Sequence, residues 1–300
     1  MKKVKTTQRK DMRIKPSGRS TDYIPPSFAF GCGFNCTYCY CKRHVPDGVN
    51  YYSNIDQILT EIDHHAMFAT DDKPNQTDDE FITYDIGCNT DIGLHAYKLP
   101  ISKIFKFFKE HPRAKASFAT KIGYTGYLFS AMIADSWSYG IPSLKNHNKV
   151  RIRMSLMPQK YSSILEPNTA SIIDRIHAID KYIQDGFEVH INYSPVIVTD
   201  TWHQDYLELF NLVDKLVVNK DQVKCEVIFL THNTMKHYHN QGQGLPGEDM
   251  LWRPDIQEPK KSQYGGTNIR YKHTLKAQYV NEFRSLHNLI IPWNTIRYIF

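Results

Sequence analysis

Three hundred residues, 41% hydrophobic and 23% charged, suit a folded chain with a core of ordinary size and exclude a disordered protein. No run of eighteen apolar residues is present and the N-terminus has no apolar signal core, so a cytoplasmic protein without membrane spans is expected. The net charge of +6 points mildly toward an anionic partner, and six cysteines, three of them within eight residues, do not make a disulfide framework.

Basic residues crowd the first twenty positions (MKKVKTTQRKDMRIKPSGRS), and residues 1–25 read as a solvated basic tail, with a phosphate-binding arm as the alternative. Strand-like runs follow at Ser27–Gly31, Phe81–Gly87, Ala116–Lys121, Val150–Leu156, Phe187–Pro195 and Val223–Leu230. Between them lie segments with apolar residues three or four apart: Asn54–Ala69, Leu99–Glu110, Gly126–Tyr139, Ala170–Asp185 and Asp205–Val217.

Alternating strands and helices predict a parallel sheet covered by crossover helices. Six units are too few for a closed eight-fold barrel and enough for an open, partial one over residues 26–231. In such folds chemistry gathers at the C-terminal strand ends, so Cys32, Cys88, Lys121, Ser155, Pro195 and Thr231 are expected at one mouth. From His232 the composition shifts (HNTMKHYHNQGQGLPGEDMLWRP), marking residues 232–300 as an appended extension. Thr267–Tyr271, a helical Lys276–Leu286 and a strand-like Thr295–Phe300 complete it.

The stretch Gly31–Tyr40, GCGFNCTYCY, spaces its thiols as Cys32-x3-Cys36-x2-Cys39. A structural zinc site wants four ligands, commonly in paired C-x2-C units, and no second pair follows. Cys41, two residues past Cys39, has poor reach around one ion. Three thiolates on a short loop suit three irons of a [4Fe–4S] cube and leave the fourth iron open. The spacing, the aromatic residue before the last cysteine and the preceding strand together resemble the radical S-adenosylmethionine superfamily. In that superfamily the open iron chelates S-adenosylmethionine.

A narrower resemblance rests on Tyr-Cys-Tyr at 38–40, Asp-Ile-Gly-Cys-Asn-Thr-Asp at 85–91, Phe-Ala-Thr-Lys at 118–121 and Arg-Ile-Arg-Met-Ser at 151–155. It continues through Leu-Glu-Pro-Asn-Thr at 165–169, Asp-Gly-Phe-Glu-Val at 185–189, Pro195 to Trp202, Gln-Tyr-Gly-Gly at 263–266 and Arg-Tyr-Ile-Phe at 297–300. In order and spacing these resemble the spore photoproduct lyases, over about Pro26 to Phe300. The resemblance implies a radical S-adenosylmethionine partial barrel of the (β/α)6 TIM type. It also implies an enzyme that reverses the methylene-bridged thymine dimer of irradiated DNA.

The resemblance implies roles as well. Cys32, Cys36 and Cys39 would hold the cluster, and Lys121, Thr90 and Ser155 would contact S-adenosylmethionine. Cys88 would give a hydrogen atom to the thymine-based radical, and Tyr38 and Tyr40 would relay the hole back, regenerating the cofactor. A low-potential electron donor such as flavodoxin or ferredoxin and a monomeric state go with this reading. Without it, Cys88 reads as a core cysteine, the tyrosines as packing and Lys121 as a rim cation. Cys41 and Cys225 read as structural.

Three features depart from the family pattern: Asn89 between Cys88 and Thr90, Asn233 after His232, and the early position of Cys32. They keep open a radical enzyme acting on another nucleic-acid base or a small molecule. A non-catalytic iron–sulfur protein that binds nucleic acid is a further alternative. Lys149, Arg151, Arg153, Lys236, Lys260, Lys261, Arg270 and Lys272 are expected as a basic rim toward DNA, with Tyr264, Tyr271 and Trp252 available to stack or wedge bases.

Overall fold

The computed structural model describes residues 3–17, 22–41, 48–69, 80–133, 147–261 and 265–300. Its central element is an eight-stranded sheet in the order β14-β10-β9-β8-β7-β6-β3-β2. The strands are β2 (Lys15–Pro16), β3 (Tyr23–Ile24), β6 (Ile82–Asp85), β7 (Ala114–Thr120), β8 (Val150–Ser155), β9 (Glu188–Val196), β10 (Lys224–Phe229) and β14 (Ile296–Ile299). All neighbours pair parallel except β2 with β3.

The covering helices bury single stripes. In Ile101–Glu110 these are Ile101, Ile104, Phe105 and Phe108, the i, i+3, i+4, i+7 set that faces one side of a helix. Ile172–Gln184 begins at Ser171, whose side chain accepts from the Asp174 amide, and buries Ile172, Ile176, Ile179 and Tyr182. Trp202–Leu216 and the last helix, His273–Ile290, meet through Phe210 and Phe283, whose rings lie edge to face at 5.3 Å.

The sheet's other face is charged and buried. Along β8, Val150, Ile152 and Met154 alternate with Arg151 and Arg153, and every residue of the strand is buried. Arg153 reaches over β7 to Asp85 on β6 at 2.7 Å and over β9 to Glu226 on β10 at 3.6 Å. Arg151 pairs with Glu188 at 3.0 Å. Side chains two strands apart meet only across a concave face, so the sheet is curled into a half-barrel with an ionic interior. This corrects the expected basic rim: Lys149, Arg151 and Arg153 are buried in the molecule. Tyr271 is also buried, its hydroxyl accepting from the Val198 amide at 2.8 Å. Lys260 and Lys261 are exposed, and Tyr264 lies outside the described residues.

Two further corrections concern the N-terminal part. Residues 3–7 are no free tail: β1 (Lys3–Thr7) pairs parallel with β5 (Gly48–Tyr52), and β2 and β3 extend the large sheet. The strand read at 27–31 shrinks to β4 (Ala29–Phe30), which pairs with β5 in a side sheet. Pro25 and Pro26, which lack amide donors, separate β3 from β4. The helix read at 126–139 is described over Gly126–Ile133, and residues 134–139 lie outside the described set.

Beyond β10 the chain forms β11 (Thr231–His232), helices over Thr234–Gly242 and Glu248–Leu251, and the antiparallel β12 (Gln257–Lys261) and β13 (Thr267–Tyr271). Among the described residues no helix is long and apolar enough to cross a membrane.

Candidate active site

The cysteine loop leaves β4 through Gly31, whose φ of 100° suits a residue without Cβ. Three surfaces then hold it. The Gly33 amide donates to His95 Nε2 at 3.1 Å, and His95 Nδ1 meets the Tyr51 hydroxyl at 2.8 Å. The Thr37 amide donates to the Leu165 carbonyl at 2.9 Å. From the C-terminal part, Asn240 Nδ2 donates to the Thr37 carbonyl at 3.1 Å and Lys236 Nζ to the Tyr38 carbonyl at 3.0 Å.

One cavity is lined by Cys32, Cys36 and Cys39 together with Tyr38, Tyr40, Cys41, Cys88, Thr90, Asp91 and Lys121. Residues from the cysteine loop, the turn after β6 and the end of β7 therefore meet, as the strand-end rule predicts. A Cβ on Gly87 would stand 2.8 Å from Phe118 Cβ, so glycine lets the Cys88 turn lie against β7. Ser155 is buried behind this wall and approaches it through Lys121, whose Nζ is 3.5 Å from Ser155 Oγ. Pro195 lies within β9 and Thr231 begins β11, and neither lines the cavity.

The two tyrosines have different neighbours. Tyr40 Oη is 3.7 Å from Cys88 Sγ, donates to the Cys88 carbonyl, and is 3.1 Å from Asn89 Oδ1. Asn89 also bonds Ser27 through its Nδ2. It is thus spent on holding Tyr40 and is absent from the cavity wall. Tyr38 donates instead to Glu166, and its ring lies 5.8 Å from Lys121 Nζ.

Charge is arranged around Lys121. Burial alone would lower its pKa, but Glu166, at 4.0 Å, together with Cys36 and Asp91 outweighs that, and the ammonium stays charged. Glu166 is buried between Lys121 and Arg175, which it meets at 2.8 Å; burial would raise its carboxyl, yet these two cations hold it down. Burial, then the nearby Asp85, push the Cys88 thiol up to about 12, so at neutral pH it carries its hydrogen. Burial likewise raises both phenols well above their ordinary range.

Sequence reasoning gave no role to Glu166 or Asp91. Asp91 caps the helix Ile92–His95 through the Leu94 amide at 2.9 Å and accepts from Thr120 Oγ1 at 2.6 Å and the Lys121 amide at 2.9 Å, fixing β7's end to the loop. The available signal was an Asp three residues past a cysteine and just before a helix.

The residues fit the cluster and cofactor implied by the resemblance. Among the described residues, His232, His237 and Glu248 form the one group of three ligand atoms within 4.8 Å of one another; the three loop thiols form no such group. One zinc ion at about 2.3 Å from each sulfur would draw them within about 4.6 Å of one another. Their wider spread suits a multi-iron cube. In the same cavity Thr90 Oγ1 is buried without a hydrogen-bond partner, beside a charged Lys121. That pair suits a ligand with a polar edge and a carboxylate. Cys41 donates to the Asn89 carbonyl at 3.5 Å, and Cys225 lies far off, 3.4 Å from His287 Nε2.

Known proteins give a consistent picture. The model of the spore photoproduct lyase family matches residues 2–300. A spore photoproduct lyase of Geobacillus sp. (strain Y412MC61) is 25% identical over 205 residues, covering 67% of this chain and 54% of its own length. One from Clostridium acetobutylicum is 22% identical over 296 residues, covering 97% of this chain and 80% of its own. The chain thus spans about half the length of the first relative and four fifths of the second. A solved spore photoproduct lyase mutant with bound AdoMet and dinucleoside spore photoproduct superposes with a TM-score of 0.83 at 18% identity, covering 99% of this chain and 82% of its own. A spore photoproduct lyase complexed with dinucleoside spore photoproduct superposes with a TM-score of 0.81 at 19% identity and the same coverage. At such identities the structural likeness shows the shared fold.

Proposed function

The chain belongs to the spore photoproduct lyase family, and from that premise we propose that it repairs the spore photoproduct, splitting the methylene-bridged thymine dimer of DNA back into two thymines. We read its βα units as the partial (β/α)6 barrel of radical S-adenosylmethionine enzymes. Cys32, Cys36 and Cys39 would hold a [4Fe–4S] cluster, and Lys121 and Thr90 the S-adenosylmethionine, the first by its charge and the second by its free hydroxyl. When bound, these groups supply a 5′-deoxyadenosyl radical on receipt of one electron from a low-potential donor.

The observation that carries the reading is the Cys88 thiol on the cavity wall with the Tyr40 phenol 3.7 Å from its sulfur, and burial favours the thiol's protonated form. Once a hydrogen atom has left the lesion and its bridge has broken, a thymine-centred radical remains. Cys88 transfers its S–H hydrogen atom there, completing the methyl group and leaving a thiyl. Tyr40 then passes its O–H hydrogen atom to the sulfur, restoring the thiol and becoming a phenoxyl. Tyr38, hydrogen-bonded to Glu166, serves as the second relay position.

Three residues singled out in the sequence take different roles. Ser155 supports Lys121 from behind. Asn89 positions Tyr40, and Asn233 caps the helix Thr234–Gly242 through the Lys236 amide at 2.8 Å. Exposed Lys260 and Lys261 on β12, with half-buried Arg270 on β13 and Lys272 just after it, are cations of the expected rim still suited to phosphates.

The test is anaerobic incubation of cluster-loaded protein with S-adenosylmethionine, a chemical reductant and synthetic dinucleoside spore photoproduct. Release of two separate thymidines is expected. Cofactor cleavage with intact lesion would contradict the assignment and favour another substrate.

A further inference from the structure

The His-rich segment after β10, set apart by its composition, has no part in the chemistry above, yet it assembles a compact donor set. His232 closes β11, His237 lies on the helix Thr234–Gly242, and Glu248 opens the helix Glu248–Leu251. His232 Nε2 is 2.7 Å and His237 Nδ1 2.6 Å from the same carboxylate oxygen, Glu248 Oε1. The other oxygen, Oε2, accepts from Asn240 Nδ2 at 2.6 Å. The His237 ring is stacked on Trp252 at 4.1 Å.

We propose that His232, His237 and Glu248 form a binding site for a zinc-type divalent cation, separate from the cysteine loop, which staples the segment 231–252 against that loop. Two imidazole nitrogens and one carboxylate oxygen are a donor set that zinc takes in tetrahedral coordination, with water as fourth ligand. His237 and Glu248 side chains are 13% and 12% exposed, which leaves an approach for that water, whereas His232 is fully enclosed.

Two second-layer contacts of a metal site are in place, while His232 Nδ1 is buried without a hydrogen-bond partner. Asn240 orients the carboxylate and Trp252 fixes one imidazole plane. Burial lowers the His232 pKa and keeps its ring neutral, as a ligand must be. Burial works to raise the Glu248 carboxyl, but hydrogen bonds from His232, Asn240 and His237 outweigh it and keep the carboxylate charged. Bonds of about 2.0–2.1 Å at tetrahedral angles set ligand atoms about 3.3 Å apart. Each imidazole nitrogen would therefore draw back from Glu248 Oε1 by less than about 1 Å.

The staple has a definite target. The helix that carries His237 also carries Lys236 and Asn240, whose side chains hold the carbonyls of Tyr38 and Thr37. Fixing that helix fixes the backbone of the loop bearing Cys36, Tyr38 and Cys39.

The experiment uses cluster-loaded protein, so that the loop cysteines are occupied, incubated with zinc, desalted and analysed for zinc and iron. About one zinc per chain is expected, with an X-ray absorption first shell of nitrogen and oxygen near 2.0 Å instead of sulfur near 2.3 Å. His237→Ala and Glu248→Gln are each expected to lose the zinc at unchanged iron content. Added zinc should raise the melting temperature of the wild type and leave both variants unmoved. A wild type that retains no zinc, a sulfur first shell, or variants that keep the zinc would each overturn the proposal; the wild-type readings decide even if a variant misfolds.

Discussion

Tyr40 Oη stands 3.7 Å from Cys88 Sγ, while the hydroxyl of Tyr38, two residues earlier on the same loop, is turned to the buried carboxylate of Glu166. The two tyrosines are therefore not equivalent. Tyr40→Phe removes the group that touches the sulfur. It should keep the first turnover and slow multiple turnover at least about tenfold, or about 1.4 kcal/mol of barrier. Tyr38→Phe should leave the thiol's surroundings intact and have the smaller effect. Burst amplitude against steady-state rate measures both, and equal effects would place the two at the same distance from the thiyl.

Thr90 offers a cleaner test of cofactor binding, because its hydroxyl is buried and unpartnered. Thr90→Val keeps the shape and removes only the oxygen. Unliganded stability should be unchanged or slightly higher, while S-adenosylmethionine affinity should fall by about 1 kcal/mol, close to fivefold in Kd. Calorimetry of wild type and variant separates the two effects.

Glu166 is a counter-ion to two cations at once. Glu166→Gln leaves Arg175, which is fully buried, facing a neutral amide, and should cost about 3 kcal/mol of stability by denaturant unfolding. Since Arg175 also donates to the Ser155 carbonyl at 3.0 Å, the end of β8 should loosen with it.

The ionic interior of the sheet predicts acid sensitivity. Burial would raise the Glu226 carboxyl, yet His190, Arg153 and Arg297 hold it far below its ordinary 4.5. A carboxyl lowered in the folded state contributes stability that is present above the unfolded pKa and lost as pH falls below about 4.5. The slope of unfolding free energy against pH should be positive there. In Glu226→Gln it should be shallower, at a cost of about 3 kcal/mol near neutrality.

What was legible in the sequence was local. The spacing of Cys32, Cys36 and Cys39 lies within eight residues, and the strands β6 to β10 show as apolar runs. What was hidden depended on distant partners. Arg151 and Arg153 read as surface cations because lysine and arginine are seldom buried unpaired. Their partners Asp85, Glu188 and Glu226 lie on other strands. Tyr271 looked free to stack on a base until Val198 claimed its hydroxyl. Glu166 stood within a recognised motif, but its meaning needed Lys121, Arg175 and Tyr38 around it.

The central claim is that the hydrogen completing the thymine methyl group comes from the Cys88 thiol, which exchanges with solvent. Repair run in heavy water and analysed by mass spectrometry tests it most directly. The wild type should place deuterium in the restored methyl group, and Cys88→Ala should lose that label together with at least about tenfold in repaired product. Undiminished, deuterium-labelled repair by Cys88→Ala would contradict the account.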